Sequence, residues 1–143
     1  MTYLSRFSVF EQFGLLLLRV GSGIFLAFLH GKGKITALWN HLYHAEEWGF
    51  PDTVASLGFP FPLFFAGVVA IVEFVGGILF AAGLYTRYVA ALIVINMSVA
   101  IYRHLISDMR YELAALFLLI SLYILFRGAG RYSFDRFFKT DTV

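Results

Sequence analysis

The sequence predicts an all-α integral membrane protein, built as an antiparallel up-down bundle of four transmembrane helices with an interfacial segment between helices 1 and 2. Three observations carry this expectation. Of the 143 residues, 60% are hydrophobic and only 14% are charged, whereas a soluble domain has about a quarter of its residues charged. The mean hydropathy is +0.80, so there is too little polar surface to coat a soluble globule. Finally, four apolar stretches approach the ~20 residues a helix needs to cross the hydrocarbon, and Lys and Arg collect beside them as membrane flanks do.

The first span is expected over Phe13 to Gly31. Arg6 and Glu11 are the charges before it and no small-residue cleavage pattern follows it, so it reads as a retained span rather than a removed signal peptide. Next comes a longer stretch, Lys32 to Phe61, that mixes Trp39, His41, Tyr43, His44, Glu46, Glu47 and Trp48. Aromatics among charges suit the headgroup layer, which predicts an interfacial helix over about Ile35 to Glu47. Two Gly-Phe-Pro triplets, at Gly49 and Gly58, punctuate the approach to the second span, Pro62 to Leu84. The third is expected over Tyr88 to Tyr102, or on to Leu105, and the fourth over Leu113 to Phe126. The links between these three are short, which makes sequential neighbours antiparallel. The whole chain, 1–143, reads as a single domain.

Orientation follows from the basic residues. Arg6, Arg87, Arg127, Arg131, Arg136 and Lys139 fall on one side; Lys32, Lys34, Arg103 and Arg110 fall on the other, among several carboxylates. Both termini are therefore expected in the cytoplasm, with the chain in the inner (plasma) membrane. Basic residues grouped at membrane flanks do not resemble a nucleic-acid surface, so no nucleic-acid partner is expected. Cys is absent, which removes thiol chemistry, disulfides and Fe–S ligation from this chain; any redox role must borrow an electron carrier.

Arg19 lies inside the first span and Glu73 inside the second, where a charge costs about 2.5 to 3.5 kcal/mol on insertion scales. By helical rise they sit roughly 9 and 16 Å from the same face, a gap the guanidinium can close, so an Arg19–Glu73 ion pair is expected. Such a pair also has a purely structural reading, as a lock between two helices. Further polar residues weigh against the lock alone. Arg19, Gly23, His30 and Lys34 fall on one helical stripe if the first helix continues past Gly31, and Asn96, Arg103 and His104 share a face of the third span. Glu112 opens the fourth span nearby. Together these residues predict a polar cavity near the outer face. Snorkelling at helix ends would explain Lys34, Arg103 and His104 individually, but not Arg19, Glu73 and Asn96.

His30, His104 and Glu112 are candidate metal ligands by type, but their spacing matches no local metal motif, and no metal is expected. His41 and His44 read as a wet surface pair. Gly76-Gly77, with Gly67 and Gly83, offers a small-residue face for close helix approach. The Gly31-Lys32-Gly33-Lys34 run lacks P-loop spacing and a preceding strand, so nucleotide binding is discarded.

The run Leu16-Leu17-Leu18-Arg19, then His30-Gly31, Lys34, Glu73, Gly76-Gly77, Gly83-Leu84, Thr86-Arg87 and finally Gly128, Gly130, Tyr132, Ser133 and Asp135 resembles the DoxX family over nearly the whole chain. The resemblance implies a four-helix membrane protein, an oxidoreductase component or a subunit of quinone-linked systems such as thiosulfate:quinone oxidoreductase, working with protein partners. Carried over by position, the family's polar pattern falls on Arg19, His30, Lys34, Glu73 and His104, with weaker correspondence at Asn96 and Glu112.

The leading expectation is a subunit that binds a quinone or similar lipophilic carrier and supports an oxidoreductase partner. In it Glu73, His30, His104 and Glu112 do the hydrogen-bonding and proton-relay work, while Arg19, Lys34, Asn96 and Arg103 hold the carrier. The alternatives are a non-catalytic scaffold that docks a partner, and a small transporter or proton pathway. The last is disfavoured because one four-helix chain offers little room for alternating access unless it forms a homo-oligomer.

Overall fold

A computed structural model describes the backbone of residues 3–140 and the side chains of 9–138. Arg6 and Lys139, two of the charges counted for orientation, lie outside the described side chains. The described residues form helices joined by turns, with no strand among them.

The first helix runs well past its apolar stretch. α1 (Tyr3–Phe25), a π-helical segment (Leu26–Gly31) and α2 (Lys32–His44) follow one another without a break. The expected end of the span at Gly31, with a separate helix from Ile35, is therefore corrected. No proline or cap interrupts the run, and a helical glycine costs only about 1 kcal/mol relative to Ala. The helix stops at Ala45, which takes the left-handed conformation at φ 54°.

After a short helix, α3 (Phe50–Ser56), begun by Pro51 and Asp52, the second long helix repeats the same plan. α4 (Pro62–Ile71), a π-helical segment (Val72–Gly76) and α5 (Gly77–Ala82) are continuous. It ends where Gly83 turns left-handed at φ 74° and Leu84 N–H bonds back to Leu79 O at 3.0 Å, a closure that satisfies the Leu79 carbonyl and leaves that of Ala81 without a main-chain donor among the described residues. Then follow α6 (Thr86–Ile106), α7 (Glu112–Arg127) and the short α8 (Phe134–Thr140).

Among the described residues, three helices are long and apolar enough to cross a membrane: Val9–His44, Pro62–Ala82 and Thr86–Ile106. Large apolar side chains face outward along them and along α7, among them Phe10, Leu29, Ile95 and Leu119. An outward apolar surface of this extent matches lipid rather than water. α7 has 16 residues, about 24 Å, short of the ~30 Å hydrocarbon core.

Small residues set the closest packing. A Cβ placed on Gly23 would lie 2.6 Å from the Gly77 carbonyl oxygen, and one on Gly31 would lie 2.5 Å from the Phe74 nitrogen. The first two long helices thus touch backbone to backbone, with their π-helical segments facing each other. The small-residue face read from Gly76-Gly77 serves this contact through Gly77. α6 packs chiefly on α7 and also meets the second long helix, enclosing Phe80, Ile93, Met97, Phe117 and Ile124.

Candidate functional site

Glu73 sits in the second π-helical segment and is 4% exposed. π turns re-aim side chains and are frequent at functional sites. Its carboxylate is held from two helices. Lys34 of α2 pairs with Oε2, and Asn96 of α6 donates from Nδ2 to Oε1 at 3.2 Å. A buried carboxylate is costly until it is paired and hydrogen-bonded, and these two partners meet both conditions. The Lys34 ammonium also lies 5.2 Å from the centre of the Phe50 ring, a favourable cation–π distance.

This triad lines a cavity of about 470 Å³. The walls are apolar: Phe50 and Val54 of α3, Phe65 and Val69 of α4, and Val99 of α6 contribute. Arg103 and His104, near the end of α6, complete the lining. The Nδ1 atom of His104 is buried and has no hydrogen-bond partner among the described residues, whereas buried polar atoms are nearly always satisfied. Arg103 donates to the Met109 sulfur at 3.2 Å.

Among the sequence candidates, the cavity therefore gathers Glu73, Lys34, Asn96, Arg103 and His104. His30 and Glu112 are not among its lining residues. His30 packs edge-on against Phe117 of α7, with ring centroids 5.7 Å apart, while Lys34 turns to Glu73. Glu112 is exposed in the first turn of α7. Among the described residues no three metal-ligating side chains gather around one point.

The expected Arg19–Glu73 pair does not form. Arg19 is 1% exposed and, among the described residues, donates only to main-chain carbonyls: from Nε to Ala81 O at 3.3 Å, from Nη1 to Ala129 O, and from Nη2 to Tyr132 O at 2.7 Å. Its guanidinium lies against Gly83, where a Cβ would sit 2.6 Å from Nη1. The C-terminal end of a helix favours a cation and supplies unpaired carbonyls, so Arg19 meets the end of α5 and the loop after α7. Glu73, eight residues before Ala81 and so roughly 12 Å along the axis, is left to Lys34.

Sequence reasoning missed the wall that α3 provides. Gly49-Phe50-Pro51-Asp52 carries a helix-start signal, with proline and an acid in the first turn, and reading it as such would have placed Phe50 on an ordered element. His41 takes no part in the site: its Nδ1 lies 2.8 Å from Glu46 O at the protein surface.

No curated protein and no solved structure matches the chain. A family model described as DoxX matches residues 14–125, which takes in Glu73, its partners and the cavity walls. On a match covering this much of its length, the chain belongs to the DoxX family.

Proposed function

We propose that the protein is a membrane-embedded, oxidoreductase-associated subunit that binds a quinone or similar lipophilic carrier in the Glu73 cavity and acts with a protein partner. The observation that carries this reading is the buried, unpartnered Nδ1 of His104 lining an apolar cavity whose polar residues include Lys34, Glu73 and Asn96. The volume of about 470 Å³ falls within the range of small-molecule sites, about 300–1,000 Å³, and such sites are mostly apolar with a few convergent polar groups.

The residues present fit such a group. His104 offers a hydrogen bond to a carbonyl oxygen, Phe50 and Val99 offer apolar contact for a ring, and Glu73 holds an exchangeable proton site beside the Lys34 ammonium. A quinone, when bound, supplies a two-electron, two-proton couple. The chain's own part is to orient the ring, exclude water, and hold protons at Glu73 and His104. His30 and Glu112 keep no place in this reading.

The same proposal takes α7 as a fourth span, giving an up-down four-helix bundle in the plasma membrane with both termini cytoplasmic. Two features support it: α7 packs along α6 over much of its length, and the link between them is short. The chain has no cysteine, so single cysteines introduced at Ser107 and at Arg131 report sidedness cleanly. Labelling of both from one side would remove the fourth span.

The test of the ligand is titration of the purified protein with a ubiquinone or menaquinone analogue. Saturable binding is expected, weakened about tenfold or more by His104→Ala, as for the loss of one buried hydrogen bond. Binding that is absent, or indifferent to His104→Ala and Glu73→Gln alike, would overturn the reading. The scaffold alternative draws on one observation, that Lys34 and Asn96 already satisfy Glu73 internally. It predicts that His104→Ala leaves cellular function intact at normal protein level.

A further inference from the structure

A second hollow, of about 620 Å³, lies between the α5–α6 turn and the loop after α7. Thr86 lines this hollow and Arg103 lines the Glu73 cavity. The two are seventeen residues apart on α6, roughly 26 Å, so the cavities occupy opposite ends of the helix.

Arginines dominate this second lining: Arg87, Arg127, Arg131 and Arg136, against one carboxylate, Asp135. That carboxylate is already committed. Its two oxygens accept from Tyr85 N–H at 2.7 Å and Thr86 N–H at 2.9 Å, capping α6 in place of a local side chain. Arg127 is paired with Glu11 at 2.6 Å. Arg87 and Arg131 are exposed, and neither makes an ion pair among the described residues.

Thr86 lines the same hollow, is 1% exposed, and its Oγ1 has no hydrogen-bond partner. A buried hydroxyl in that condition is completed by a ligand or water. Guanidinium groups converging beside a free hydroxyl suit an anion with several oxygens, and Arg matches phosphate with two parallel bonds.

We propose that this hollow binds the phosphate of an anionic phospholipid headgroup, with Arg87 and Arg131 pairing its oxygens and the Thr86 hydroxyl completing the site. Two features favour lipid as the source. Tyr85 and Tyr88 stand exposed at the rim, as aromatics do at headgroup level. A neighbouring groove lined by Phe134 and Phe137 shares Arg131 and Arg136 with the hollow, so acyl chains have an apolar path beside the charged one. The proposal is independent of the quinone reading.

Native mass spectrometry of the full chain in detergent, titrated with phosphatidylglycerol, phosphatidylcholine or pyrophosphate, tests it. Phosphatidylglycerol is expected to bind at least about tenfold more tightly than phosphatidylcholine, from about 1 kcal/mol per arginine near a lipid surface. The Arg87→Gln/Arg131→Gln variant should lose that preference. Thr86→Val should weaken it about threefold while leaving lipid-free thermal stability unchanged, because the hydroxyl has no partner to lose. Pyrophosphate binding that saturates and vanishes in the same double variant would support the phosphate site; if it comes without preference for phosphatidylglycerol, it would assign the site to a soluble ligand. Equal binding of the two lipids without such pyrophosphate binding, or a preference that survives the double variant, would overturn the proposal.

Discussion

Toward one end of the first long helix, Arg19 is buried among three main-chain carbonyls with no carboxylate bonded to it; toward the other, Lys34 reaches the carboxylate of buried Glu73. The carbonyls cannot change charge or turn away, so Arg19 acts as a fixed strap joining the end of α5 to the loop before α8. Glu73 is held instead by two side chains, Lys34 and Asn96. Lys34 keeps 28% of its side-chain surface exposed, and both residues line a cavity. Burial of a charge is therefore weak evidence of function by itself. What the charge is buried against separates a structural cation from a candidate working carboxylate.

Breaking the strap should have the largest effect. Arg19→Ala leaves the Ala81, Ala129 and Tyr132 carbonyls without their donor, and a loss of about 3–5 kcal/mol is expected, from about 1–3 kcal/mol per unsatisfied buried group. Thermal unfolding of the purified variant measures it. Arg19→Lys should recover only part, because one ammonium cannot reproduce the guanidinium's fork. Full recovery with Lys would reduce the strap to a point charge.

Glu73→Ala comes next. It strands Lys34 and the Asn96 amide, but the partial exposure of Lys34 relieves some of the cost, so about 2–3 kcal/mol is expected, below the range for a fully buried pair. The smallest effect is expected from the double change Lys34→Met/Glu73→Leu, within about 1 kcal/mol of the parent, since apolar replacement of both partners is often neutral. Such a variant would be stable and without a carboxylate at position 73. If it unfolds instead, the pair is a strap like the other, and the contrast between the two ends fails.

The long apolar runs at Pro62, Thr86 and Glu112 were readable because hydropathy and length alone decide them. The polar residues Lys34, Glu73, Asn96, Arg103 and His104 were readable as a group because Glu73 and Asn96 are expensive at their depth and the other three share helical faces leading to the outer side. Their pairing was not. A list of residues shows two charges within reach of one another, but it hides the unpaired carbonyls at the end of α5, which compete for Arg19. The π-helical segments were equally hidden, since Leu26–Gly31 and Val72–Gly76 have ordinary helical composition. The first of them changes the angular register between residues on either side of it, such as Arg19 and Lys34. α3 was overlooked because seven residues leave too short a pattern for periodicity to register.

The first rod carries a consequence of its own length. From Val9 to His44 it has 36 residues, about 54 Å, and even a 40° tilt would leave it spanning roughly 41 Å across a ~30 Å oily layer. Part of it must lie outside the hydrocarbon. Lys34, which lines the Glu73 cavity, lies ten residues before the end of this rod.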